Sequence, residues 1–155
     1  MPRKKSPGTV ATNRKALFNY AVLETYEAGI CLTGPEVKSV RLGNVTIEGS
    51  FARVDGDEVF LHNLSIRPYE FNHVQVLPPD RIRKLLLGRK EIDRLIGKTR
   101  IKGHTLVPLE IYFKNGWAKL KLALAQGKQH KDKRDSIKKR EVERDMERAV
   151  RSRNR

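Results

Sequence analysis

The residue pair Asn115-Gly116 constrains the fold of this chain more than any other feature. A two-residue type I′ turn needs positive φ at both central positions, and Asn-Gly tolerates that best. Closing the turn there sets a register over Leu109–Ala125. Lys114 faces Trp117, Phe113 faces Ala118, Tyr112 faces Lys119, Ile111 faces Leu120, Glu110 faces Lys121 and Leu109 faces Leu122. Strand side chains alternate between faces. One face is therefore apolar, through Leu109, Ile111, Phe113, Leu120 and Leu122, and belongs against a core. The other combines rings with cations, through Tyr112, Lys114, Trp117, Lys119 and Lys121.

Upstream, Tyr20–Tyr26 alternates like a strand, Gly29 reads as a bulge, and Ile30-Cys31-Leu32 resumes the run. Cys31, flanked by two aliphatic residues, reads as a small buried hydrophobe. Thr33-Gly34-Pro35-Glu36 announces a helix, because Thr and Glu three apart form a capping box and proline suits the first turn. Val37 and Val40 face one way, Lys38 and Arg41 another, and Gly43 ends the helix. Phe51–Leu64 reads as a second hairpin around Asp55-Gly56, with Val54 opposite Val59. Pro68, Pro78 and Pro79 keep Ser65–Pro79 irregular. Asp80 as N-cap predicts a helix with an Ile82, Leu85 and Leu86 stripe and Gly88 as its stop. A further helix through Glu91–Ile96 buries Ile92, Leu95 and Ile96 and ends at Gly97. Both helices are expected to expose cations: Arg81, Arg83, Lys84, Arg89, Lys90, Arg94 and Lys98. Several strands with short helices and glycine punctuation predict a mainly β fold, a small antiparallel barrel of the oligonucleotide-binding kind.

The charge is concentrated at the ends. The chain of 155 residues carries a formal +15. Residues 1–15 hold five cations and no acid, and residues 127–155 hold twelve cations against six acids, leaving +4 for the stretch between. This is the pattern of basic arms around a folded module that meets a polyanion. The expected division is a flexible basic arm over 1–12, a β-barrel domain over 13–126 and a basic tail over 127–155. In the tail, Val142, Met146 and Val150 recur every fourth residue, and Asp135/Lys139 and Glu147/Arg151 are favourable pairs. So thin a stripe does not overcome helix nucleation in water, so the tail is expected to be disordered when free and to fold on a partner. No run of 18 apolar residues occurs, no apolar stretch follows the basic N-terminus, and one cysteine fits a reducing cytoplasm.

The residues offer little for catalysis. His62, His73, His104 and His130 lack metal-ligand spacing, and no cofactor or metal is expected. Gly97-Lys98-Thr99 resembles the end of a phosphate-binding loop, but Ile92 stands where that motif needs glycine. Glu36 has its role in the cap, whereas nothing local explains Glu27, directly before Ala28-Gly29. The ring-and-cation face of the hairpin can attract phosphates and stack bases, at ~1–3 kcal/mol per base. Trp117 and Tyr112 could equally pack beneath a helix, and the helical cations could equally be a solvated surface. RNA is preferred to duplex DNA, since no helix-turn-helix, zinc finger or basic zipper is present. A nuclease or RNA-modifying enzyme lacks its general base or metal cluster.

Three blocks, EAGICLTGPEVKSVRLG (Glu27–Gly43), RKLLL (Arg83–Leu87) and GKxxxDKR (Gly127–Arg134), resemble the SsrA-binding protein family, small protein B. The resemblance implies an oligonucleotide-binding-like barrel that binds the tRNA-like domain of transfer-messenger RNA. It implies delivery of that RNA to stalled bacterial ribosomes for trans-translation, with no enzymatic step. The family's RNA-contacting glutamate falls on Glu27, its basic helix on Lys38 and Arg41, and the leucine of its RKLLL motif on Leu86. The expected RNA-binding set is Glu27, Lys38, Arg41, Arg83, Lys84, Leu86, Trp117, Lys119 and Lys121. Gly88 stands at a position usually Asn or His, and Phe18 at one often His, so those family contacts are not carried over. The resemblance further implies a tail that enters the message channel near the decoding centre of the small subunit. Gly127, Lys128, His130, Lys131, Asp132, Lys133, Arg134, Ile137, Lys138 and Met146 are its expected contacts. The family's ring before DKR is replaced by Lys131, with His130 one place earlier. Further expectations are ribosomal RNA as a contact, elongation factor Tu as an indirect partner through the charged RNA, and a monomer bound one to one, with no membrane or DNA partner. The alternative is a structural protein permanently bound to ribosomal RNA.

Overall fold

The computed structural model describes residues 8–72, 76–128 and 130–153, with the side chains of 130–132 left aside. Its organising hairpin is the expected one. Asn115 and Gly116 have φ of 51° and 80°, and the register runs from Lys114 opposite Trp117 to Glu110 opposite Lys121. The strands are β8 (His104–Lys114) and β9 (Trp117–Gly127). The pairing then slips, so that Pro108 rather than Leu109 faces Leu122. A proline inside a strand cannot donate to the ladder, and a bulge is where it is tolerated. Leu109 is the extra residue. It is turned to the outside, where it joins Ala16, Val107, Ala123 and Ala125 in a small second cluster.

The N-terminal segment covers that cluster. Of the expected flexible arm over 1–12, Thr9–Thr12 is a strand (β1) on the distal half of β8, and residues 1–7 lie outside the described residues. An unanticipated helix, α1 (Arg14–Asn19), follows. Asn13 secures both. Its backbone N–H donates to Leu109 O at 2.7 Å, its side-chain amide to Pro108 O at 2.9 Å, and its Oδ1 caps Ala16 N at 3.1 Å. One buried asparagine therefore satisfies the carbonyls that the bulge leaves free.

The remaining strands close the barrel. They are β2 (Tyr20–Ile30), β4 (Phe51–Asp55), β5 (Glu58–His62) and β7 (Arg83–Leu86), with a short β3 (Val45–Thr46) and β6 (Ser65–Ile66) paired at one end. Antiparallel pairing runs β8-β4-β5-β7-β2-β9 and returns to β8, leaving no open edge in the ring. Val54 faces Val59, as the like-with-like pattern predicts. Inside lie Ala28, Val59, Leu61, Leu85, Ile111, Leu120 and Leu122. Helix α2 (Gly34–Arg41) plugs one end with Val40, and its capping box, Thr33 with Glu36, is formed. Gly43 follows it at φ 79°.

Several local expectations are corrected. The bulge of β2 lies at Leu23, between Val22 and Glu24, and not at Gly29, which is fully paired on both sides. Cys31 is exposed, because it continues the outward alternation of Glu27 and Gly29. The segment expected as a helix after Asp80 is strand β7, with burial alternating along Arg83, Lys84, Leu85 and Leu86. Four residues with two leucines fit either period, and pairing with β5 and β2 decides for the strand. Arg83 is consequently buried, not a surface cation. Gly88 then starts the next helix instead of stopping one: α3 spans Arg89–Lys98, buries Leu95, runs through Gly97 and is capped by Thr99. The tail is a single helix, α4 (His130–Arg153).

Candidate nucleic-acid interface

The register of the four strands β7, β2, β9 and β8 assembles one outward surface. Leu86, Gly29, Lys119 and Tyr112 form a continuous cross-strand row. One step along β2, Glu27 lies opposite Lys121, which faces Glu110 on β8. In the other direction lie Trp117 opposite Lys114, and Lys84, whose carbonyl accepts from Cys31 N at 3.0 Å. Residues widely separated in sequence thus share one face because each is an odd step from the core residues beside it.

Glu27 is the hub. Its Oε2 accepts the Tyr112 hydroxyl at 2.6 Å and lies 3.4 Å from Lys114 Nζ. The Tyr112 hydrogen bond, with Lys114 and Lys119 assisting, holds the carboxyl below its usual value despite some desolvation. Burial and the adjacent carboxylate push the Tyr112 phenol up, so it remains a donor. The carboxylate that had no local explanation has a tertiary one.

The two rings divide their roles. Trp117 is 69% exposed and lies under no helix, so its indole face is open to a base. Tyr112 is buried in the sheet, with its hydroxyl on Glu27. Leu86, 52% exposed, lies over Gly29, where an added Cβ would come within 3.3 Å of the leucine's own Cβ. Gly29 therefore gives Leu86 its seat. Lys84 faces the same way and is paired with Glu58 at 3.2 Å.

Lys38 and Arg41 are not part of this surface. Both project from α2, with Lys38 Nζ 5.3 Å from the Tyr69 ring centre and Arg41 4.9 Å from that of Phe113. Phe113 is on the opposite side of β8 from Tyr112, so α2 presents its cations at the barrel end. Arg83 reaches no surface. Its Nε donates to Glu36 at 2.8 Å, and its terminal nitrogens to the carbonyls of Leu64, Pro79 and Arg81 at 2.7, 2.9 and 3.1 Å. Arg81 also pairs with Glu36. Burial alone would raise the Glu36 carboxyl, but Arg81, the Thr33 amide and Arg83 outweigh it and hold it low. This network ties the cap of α2 to the loop before β7 and replaces the phosphate contact expected of Arg83.

The tail leaves the barrel beside α1. Gly127 ends β9 opposite Tyr20. Lys128 donates from its backbone to Asn19 O at 2.9 Å, and its ammonium to Leu17 O at 3.2 Å and Ser136 Oγ at 3.1 Å. Arg140 lies over the Phe18 ring, 5.4 Å from its centre. Sequence reasoning missed this seat because α1 itself was missed. Asp132 and its neighbours His130 and Lys131 are in the first turn of α4, and their side chains lie outside the described residues. Lys133 is half-buried and Arg134 and Lys138 are exposed. Ile137, Val142, Met146 and Val150 are all exposed, between 43% and 64%. Among the described residues no three His, Cys, Asp or Glu side chains gather into a metal site, and no helix is long and apolar enough to cross a membrane.

Comparison with known proteins agrees in one direction. A family model described as SmpB protein matches residues 10–152. The SsrA-binding protein of Elusimicrobium minutum (strain Pei191) is 53% identical over 145 residues, 94% of this chain and 92% of that one. That of Geobacillus kaustophilus (strain HTA426) is 52% identical over 144 residues, 93% of each. A solved structure described as "tmRNA-SmpB: a journey to the center of the bacterial ribosome" shares 48% identity. It superposes with a TM-score of 0.66 over 85% of this chain and 95% of that one.

Proposed function

The chain belongs to the SmpB protein family, and from that membership we propose that it is an RNA-binding adaptor for ribosome rescue. It binds the tRNA-like domain of transfer-messenger RNA and brings it to stalled bacterial ribosomes, where incomplete proteins are tagged by trans-translation. The observation that carries this is the 48% identity, over most of both chains, to the SmpB of the tmRNA-SmpB ribosome structure. The outward face of β7, β2, β9 and β8 supplies the physical means: cations for phosphates, Trp117 for stacking, and Glu27 for a donor that no phosphate offers.

The division of labour follows from the layout. The barrel holds the RNA, while Gly127–Arg155 enters the message channel of the small subunit and contacts ribosomal RNA there. In the free chain the apolar stripe of α4 is uncovered, so its helix lacks the packing that stabilises most helices. The channel supplies that surface, and the tail's order is conditional on it. The protein performs no chemistry, works in the cytoplasm as a monomer with one RNA, and meets elongation factor Tu only through the charged RNA. A permanent ribosomal protein, the rival possibility, has no counterpart among the relatives above.

Binding of the tRNA-like domain, measured against salt, tests this. Affinity is expected to fall steeply with salt, because each neutralised phosphate contributes a slope of roughly −0.7 to −0.9. Trp117→Ala is expected to cost ~1–3 kcal/mol of binding with little change in that slope. Equal affinity for the tRNA-like domain and for an unrelated hairpin of the same length would contradict the proposal.

A further inference from the structure

We propose that Tyr112 is a positioning residue for RNA recognition: a fixed post that holds the Glu27 carboxylate in place to accept a hydrogen bond from the RNA. The proposal rests on the RNA-binding function above and deepens it. An exposed glutamate on a face that meets a polyanion is unfavourable unless it accepts a donor, and an unpinned side chain loses rotamer entropy when it does so. Tyr112 removes that second cost. Its ring is buried in β8, between Thr9 of β1 and Lys119 of β9, so the hydroxyl has little freedom. From there it donates to Glu27 Oε2 at 2.6 Å. Lys114 approaches both oxygens, at 3.5 Å to Oε1 and 3.4 Å to Oε2, which offsets the charge without enclosing it. Oε1 thus keeps its acceptor capacity toward solvent, on the side where RNA binds. The matching donor is a base N–H or a ribose 2′-O–H.

The charged and titratable groups facing Glu27 are Glu110, Tyr112 and Lys114 from β8 and Lys119 and Lys121 from β9. From β7 the neighbour is the apolar Leu86. Tyr112 is the only one of these fixed by burial of an otherwise apolar ring, and Tyr112→Phe deletes one oxygen while keeping that ring.

Affinity for the tRNA-like domain is measured for the full chain, Tyr112→Phe, Glu27→Gln and the double variant, over a range of pH. Tyr112→Phe is expected to weaken binding roughly threefold to tenfold, and to add almost nothing once Glu27→Gln is present. Wild-type affinity falls as pH drops through the lowered Glu27 value. Without the Tyr112 bond that value rises, so the acid limb of the Tyr112→Phe profile moves to higher pH. A general packing defect would move neither the coupling nor the limb. Single 2′-deoxy substitutions in the RNA separate the donors. A matching loss in wild type that is absent in Tyr112→Phe assigns the ribose; no such position, with the coupling retained, assigns the base. If wild type binds while Tyr112→Phe binds equally well, or if the two losses simply add, the proposal is overturned and RNA binding stands. If wild type itself fails to bind, both fall.

Discussion

Deleting Gly127–Arg155 is expected to leave affinity for the tRNA-like domain within roughly threefold of the intact chain, while tagging of stalled proteins falls to the level of a reaction lacking the protein. The proposed RNA face lies on β7, β2, β9 and β8, whereas the tail departs beside α1, where Lys128 and Arg140 fasten it to Leu17 O and the Phe18 ring. The deletion removes a net +6 of the chain's +15. Charges off the binding face act through solvent and are screened beyond ~8 Å at physiological salt, so their loss shows chiefly at low salt. The tail's apolar stripe is exposed, so its removal costs the barrel little. Filter binding and a reconstituted tagging reaction read the two effects separately. A parallel fall in both would contradict the division between barrel and tail.

Arg83→Met is expected to be the most destabilising single substitution among the residues first expected to touch RNA. Its side chain is 1% exposed, and its partners Glu36 and Leu64 are also buried, while the Pro79 and Arg81 carbonyls lie nearer the surface. Glu36 keeps Arg81 and the Thr33 amide but loses its buried partner, and the Leu64 carbonyl loses its donor, together costing about 3 kcal/mol. For a chain of this length that lowers Tm by roughly 10 °C. Glu36→Gln is expected to destabilise as well, because one amide oxygen cannot replace two carboxylate oxygens and the amide NH2 meets an arginine or the Thr33 N–H, donor against donor. The pH dependence has a definite sign. Glu36 is held below its ordinary value of 4.5, so its stabilisation is complete above that pH and is lost as pH falls through the lowered value. The gap in Tm between wild type and Arg83→Met should therefore narrow in acid. A variant that melts with wild type, or a gap independent of pH down to about pH 3, would refute the role given to this network.

The contrast between Arg83 and Glu27 shows where the sequence stopped being legible. The β8–β9 register could be read because a two-residue turn between alternating runs leaves one pairing that keeps the apolar face together. The α2 cap could be read because its partners, Thr33 and Glu36, are three residues apart. Arg83 could not, since the carboxylate that buries it is 47 positions away and the short apolar run around it fits a helix as well as a strand. Glu27 stood out by having no local purpose, and its partner Tyr112 is 85 positions away. Without the order β2-β9-β8 nothing links them. The same holds for α1 and β1, which exist to cover a bulge that Pro108 forces a hundred residues later. The charge surplus located the ends of the chain correctly as basic, yet gave no warning that Lys128 and Arg140 fasten the tail's base to α1. Local patterns carried the barrel; the site needed the register.

The most direct test of the adaptor account is the identity of the RNA bound in the cell. The tagged full-length protein, captured from a bacterial host and its RNA sequenced, is expected to carry transfer-messenger RNA in about equimolar amount, with protection over the tRNA-like domain. The Glu27→Ala and Trp117→Ala double variant should lose that RNA while remaining folded. Recovery of ribosomal RNA alone, in proportion to all ribosomes and unaffected by those two substitutions, would contradict the account and favour a structural ribosomal protein.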